Sequence, residues 1–107
     1  MSRAWGLLAA GTAVLALTGC ERAALSAEAE RGRQIYVSQC TACHGFDPTR
    51  PGPVGPAVTP ASRALLEAKV LRGTYPPGYT PRRPTSVMPP QPQLAPELDA
   101  LAAYLQD

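Results

Sequence analysis

The sequence predicts an all-α domain with three main helices joined by long loops. Helix signals recur in three segments of the 107-residue chain, around residues 27–39, 59–72 and 96–106. No run near the chemically distinctive residues alternates as a buried strand, since β-branched residues such as Ile35 and Val37 stand isolated. The stretches between the helices are dense in proline, and all 13 prolines lie beyond residue 20. The length is that of one small domain. Ten Lys and Arg against eight Asp and Glu leave a net charge of +2, with no basic run, so nucleic acid is excluded as a partner.

The N-terminus reads separately from that domain. "MSRAWGLLAAGTAVLALTGC" has one early cation at Arg3, an uncharged stretch from Ala4 to Leu17, and then small residues, which is the layout of an export signal. The apolar stretch is short of the ~20 residues a membrane span needs. Leu17-Thr18-Gly19-Cys20 resembles the lipobox of bacterial lipoproteins. That resemblance implies a diacylglyceryl group on Cys20 and cleavage just before it. The expected division is a signal peptide at 1–19, a lipidated tether at 20–27 and a folded domain at 28–107. Several acyl chains would hold such a protein durably to a bilayer.

Within the domain, Ala27 to Gln39 lacks helix breakers except Gly32 and reads as the first helix. "DPTRPGPVGP" marks Gly45 to Ala57 as loop. Thr59-Pro60 offers an N-cap and a first helical position, and Leu65, Leu66, Val70 and Leu71 follow at helical spacing until Gly73. Thr74 to Gln93 is a Pro-rich loop. Pro96 opens the last helix, with Leu98, Leu101, Ala102 and Leu105 on one face.

The chemistry is concentrated in "SQCTACHG", where Cys40 and Cys43 stand three apart and His44 follows directly. With Cys20 acylated, two thiols remain, and two cysteines this close cannot staple a fold. A closed zinc site wants four Cys or His ligands, yet His44 is the single histidine and there is no second cysteine pair. A redox dithiol wants a βαβ setting, for which no strand is evident. The remaining reading of CxxCH is attachment of one c-type haem. Two thiols about one helical turn apart can each bond one vinyl group, and the next residue brings an imidazole to the iron. A flat apolar cofactor would also give so small and proline-rich a chain the centre of its core.

The second iron ligand follows by elimination. No other histidine exists, Met1 belongs to the signal, and Met88 is the one thioether left. "TSVMPPQPQ" holds it in a loop where Pro89, Pro90 and Pro92 stiffen the backbone, so a flexible side chain is presented from a rigid mount.

From Glu28 to Gln106 the chain resembles a class I cytochrome c of the small monohaem bacterial type. Gly32 and Tyr36 stand eight and four residues before Cys40, where that family has a glycine and an aromatic on its first helix. Gly55 and Pro56 match its Gly-Pro pair, and the resemblance implies that the Pro56 carbonyl accepts the far N–H of His44. It also implies three main helices enclosing one covalent haem, with the first and last helices crossing at Gly32 and meeting Leu101 and Tyr104. Trp5 falls in the signal, so no tryptophan is left for a haem propionate; Tyr75, Tyr79, Arg82 and Arg83 are candidates to replace it, against the commoner role of loop Tyr and Arg as ordinary surface residues.

These readings imply an electron-transfer protein and not an enzyme in its own right. An iron closed on both sides has no substrate position, and thioether ligation raises its potential. The tether reaches less than ~30 Å at ~3.3–3.6 Å per residue. The expected partners are therefore a lipid bilayer and membrane-bound or periplasmic redox proteins, with the domain exported and anchored to a bacterial membrane facing the periplasm. It acts either as a monomeric carrier or as a haem-bearing subunit of an oxidoreductase complex. A five-coordinate haem that binds a small ligand is the chemically distinct alternative, and applies if Met88 leaves the iron open.

Overall fold

Ser26 begins the folded chain by accepting the Ala29 N–H at 3.0 Å through its hydroxyl, and Glu28 and Glu30 in the first turn favour the positive end of the helix. The resulting helix, α1, spans Ala27–Gln39, the bounds expected from sequence. The structure, a computed structural model, describes residues 24–106 other than 86, together with 6, 11 and 13. Apart from those three isolated positions, the expected signal and Cys20 lie outside the described residues. Among the described residues there is no strand, and no helix is long and apolar enough to cross a membrane.

Ala29, Gly32 and Tyr36 form the buried stripe of α1, and it packs on α4, Leu98–Leu105. A methyl group at Gly32 would run into the carbonyl of Ala100 and come within 2.9 Å of Tyr104 Cβ. Absence of a side chain is thus what lets the two helices touch backbone to backbone. Tyr36 and Tyr104 pack with ring centroids 5.7 Å apart, one turn further along α1. The Tyr36 hydroxyl reaches the Gly45 carbonyl at 2.7 Å, and burial pushes its pKa up to about 12, so the phenol stays neutral and donates.

A four-residue helix, α2, Thr41–His44, follows α1 almost without a break and ends at Gly45, whose φ of 77° suits glycine. The sequence carries no periodic signal for so short an element. The next helix starts later than Thr59-Pro60 suggests. Thr59 N–H bonds to Pro48 and Ala61 N–H to Leu105, so the chain is not yet helical at these positions. Ser62 then caps α3, Arg63–Leu66, by accepting Leu65 N–H at 3.1 Å. The helix continues as a wider π-type turn over Glu67–Leu71 and stops at Gly73, with φ 68°.

The last helical stretch also departs from expectation, opening at Pro92 as a 3₁₀ segment, Pro92–Glu97, before becoming α4. Pro92 and Pro96 both lack an N–H, and the tighter start tolerates them where an α-helix interior would not. Leu94, Leu98, Leu101 and Leu105 of this segment join Tyr36, Ala61, Leu66 and Val70 in one core. Ion pairs at the periphery link Arg31 to Glu97 and Arg63 to Asp99, each at 2.6 Å; such exposed pairs contribute at most about 1 kcal/mol.

Gly32→Ala is expected to destabilise the domain by about 1–3 kcal/mol, because overpacking against the Ala100 carbonyl outweighs the ~1 kcal/mol of helix propensity gained. Denaturant midpoints of the two proteins test this. An unchanged or raised midpoint would contradict the close crossing.

Candidate functional site

The core is not closed on all sides. Ala61, Leu66, Val70, Leu101 and Leu105, which seal it, also form a wall of a cavity of about 360 Å³. Cavities of this scale, about 300–1,000 Å³ and mostly apolar, are where cofactors and small molecules bind. Every residue singled out from the sequence for the site lines it: Cys40, Cys43, His44, Pro56, Tyr75, Tyr79 and Met88, with Arg82 and Arg83.

Local hydrogen bonding explains how the motif is presented. Cys40 ends α1 and opens α2, with its N–H on the Tyr36 carbonyl at 2.9 Å, while its own carbonyl receives His44 N–H at 2.9 Å. The Cys43 carbonyl accepts two N–H groups from the following loop, Val54 at 3.1 Å and Gly55 at 2.8 Å. The loop is thereby folded back onto the motif. His44 is buried, and its Nδ1 lies 2.8 Å from the Pro56 carbonyl. A carbonyl can only accept, so Nδ1 carries the proton and the lone pair is left on Nε2, the form in which imidazole binds a metal.

Two glycines make that arrangement possible. A Cβ on Gly55 would stand 2.6 Å from His44 Nδ1 and 3.0 Å from Nε2, so the ring lies flat against this backbone. A Cβ on Gly52 would run into the backbone of Cys43 and His44. Gly52 was not evident as a site residue from sequence; its sole cue is its place in the Gly-Pro alternation of "PGPVGP".

The two thiols are free, Cys43 exposed and Cys40 half-buried. Burial, reinforced by neighbouring Cys43, pushes the Cys40 thiol up to about 11. A redox dithiol needs the reverse, a lowered pKa that yields thiolate. Among the described residues no three His, Cys, Asp or Glu side chains converge as a metal shell.

Met88 is half-buried in the long loop and packs against the core as well as the cavity. The loop re-enters the helical body at Gln91, whose N–H bonds to the Val70 carbonyl at 2.6 Å, an acceptor left over at the end of the π-type turn. Tyr75 and Tyr79 stack on one another at 5.4 Å, with the Lys69 ammonium 4.4 Å above the Tyr75 ring. Arg82 and Arg83 bond to main-chain carbonyls across the cavity mouth.

The donor set fits haem. An apolar slot holds two thiols one turn apart, an imidazole already in its metal-binding tautomer, and a thioether on a stiff loop. Cys40 and Cys43 could hold the macrocycle by thioether bonds, and His44 and Met88 could hold its iron.

Gly55→Ala should displace the His44 ring and break the bond from Nδ1 to Pro56. The Nδ1–H proton resonance is expected to shift or vanish, with unfolding stability lower by about 1–3 kcal/mol. A resonance and a midpoint both unchanged would contradict the packing of ring on glycine.

No curated protein matches the chain. A family model described as cytochrome C oxidase, cbb3-type, subunit III, matches residues 27–105, from the first residue of α1 to the last of α4. The chain belongs to that family, and is a c-type cytochrome whose helical electron-transfer domain carries covalently bound haem c.

Proposed function

We propose that this chain is a lipid-tethered monohaem cytochrome with the class I arrangement, passing single electrons between membrane-bound or periplasmic redox partners. The observation that carries the reading is the convergence of Cys40, Cys43, His44 and Met88 on one apolar cavity from two distant segments. Haem, when bound, supplies a one-electron ferric–ferrous couple. Each residue then has a distinct task. Cys40 and Cys43 fix the cofactor by thioether bonds. His44 ligates the iron, and the Pro56 carbonyl strengthens it as a donor by holding its second N–H. Met88 would be the second protein ligand to the iron, leaving substrate no place there and raising the potential. Tyr75 and Tyr79 form part of the pocket wall.

Exposed apolar residues support electron exchange at this face. Val54 and Val87 line the cavity yet remain 49% and 69% exposed, and Phe46, two residues after His44, is 77% exposed. At the N-terminus, the lipobox-like "LTGC" supports acylation of Cys20, which would confine the domain to a membrane surface facing the periplasm.

A second reading, a stable haem-bearing subunit of a terminal oxidase, is favoured by the description of the matched family as an oxidase subunit. Detergent extraction followed by size analysis separates the two. A stoichiometric complex selects the subunit, and a monomeric haem protein selects the carrier.

Met88→Ala is expected to lower the midpoint potential, abolish the thioether-to-iron charge-transfer band of the oxidised protein and let the reduced protein bind carbon monoxide. If potential, band and carbon monoxide exclusion all stay as in the wild type, Met88 is not the ligand. Cys20→Ser is expected to leave haem content intact while freeing the protein from membranes or stalling its processing. A processed variant that still sediments with membranes would contradict the lipid anchor.

A further inference from the structure

The long loop that carries Met88 has few means of attachment. Six of the residues from Tyr75 to Pro90 are proline and have no N–H to donate. At its start Thr74 bonds to the Ala68 carbonyl, and beyond its end Gln91 bonds to Val70. Between those points, among the described residues, the hydrogen bonds that reach outside the loop all come from two adjacent arginines. Arg82 spans two carbonyls, with Nη1 on Ala57 at 2.6 Å and Nη2 on Pro60 at 2.7 Å, and Arg83 donates from Nη1 to Val54 at 2.7 Å.

The acceptors are as informative as the donors. Val54 and Ala57 bracket Gly55 and Pro56, the pair that backs the His44 ring and accepts its Nδ1–H. Neither arginine has a carboxylate partner among the described residues, whereas Arg31, Arg33, Arg50, Arg63 and Arg72 all do. Their hydrogen bonds go to main-chain oxygen. At Arg82 a guanidinium suits the task because its planar fork engages two acceptors at once, which a lysine ammonium on its flexible stem does not reproduce.

We propose that Arg82 and Arg83 are positioning residues for the iron centre: they latch the Met88 loop to the loop that holds His44, and so keep Met88 on the metal. The inference rests on the reading of Met88 as an axial ligand. Met88 lies five residues after Arg83 and three before Gln91, so the latch and the Gln91 bond clamp its segment from both sides. Releasing the latch leaves the described residues of the long stretch between Thr74 and Gln91 with no hydrogen bond to the rest of the domain, and the thioether leaves the iron more often.

The test is carbon monoxide binding to the reduced, detergent-extracted holoprotein. With the double change Arg82→Ala and Arg83→Ala, binding should quicken by about 10-fold or more, since each hydrogen bond from a charged donor is worth roughly that factor. Arg82→Lys with Arg83→Lys retains both charges but not the fork, and it too should quicken binding. In a Met88→Ala background the arginine changes should add nothing, because the ligand they position is gone. Haem content and helical circular dichroism show that each variant is folded, and Arg83→Ala alone serves if the double alanine variant is not. The latch is overturned if Met88→Ala opens the iron while the arginine variants exclude carbon monoxide as the wild type does. It is overturned equally if the lysine pair behaves as the wild type, or if the arginine effect persists undiminished without Met88. Should Met88→Ala itself bind no carbon monoxide, the axial-ligand reading fails, and the latch with it.

Discussion

The hydrogen bond from His44 Nδ1 to the Pro56 carbonyl is the constraint around which this small domain is arranged. It sets which imidazole nitrogen is free. It also fixes where the loop after the motif must run, because the carbonyl lies on a strip of chain that passes flat beneath the ring. That path needs glycine at 55, where any side chain would strike the imidazole, and it is held by two N–H groups gathered on the Cys43 carbonyl. The same strip supplies the carbonyls that Arg82 and Arg83 grip. One bond therefore links the motif helix, the proline-rich loop behind it and the loop bearing Met88.

Beneath this site the α1–α4 crossing provides a rigid floor. Gly32 brings the helices into contact, and Tyr36, one turn on, is buried against Tyr104 while its hydroxyl holds Gly45 at the end of the motif. Leu66, Val70, Leu101 and Leu105 then serve twice, as core of the helical body and as wall of the haem cavity. A chain this short buries little apolar surface by itself. Sharing its core with a covalent cofactor removes the need for a separate one.

Much of this was legible in the sequence, and the reasons differ by element. The first helix was readable to its bounds because Ala27 to Gln39 holds no breaker but Gly32, and Ser26 caps it where that run begins. The candidate ligands were readable because their types are scarce, one histidine and one methionine outside the expected signal, and both line the one cavity described. What stayed hidden depends on contacts between distant segments. Thr59-Pro60 has the form of a helix start, but neighbouring N–H groups are taken by Pro48 and Leu105, and Ser62 caps instead. Pro96 hides an earlier 3₁₀ start at Pro92. Arg82 and Arg83 look like surface cations, and nothing local reveals that they reach 22 to 29 residues back along the chain to bind carbonyls.

The central claim is that the domain closes its haem with His44 and Met88. Methyl-¹³C labelling of methionine in the reduced protein tests it directly, because a thioether on the iron lies over the macrocycle and feels its ring current. The Met88 methyl resonance is expected far upfield of ordinary methionine positions. A Met88 methyl at an ordinary shift in the folded, haem-loaded protein would contradict it.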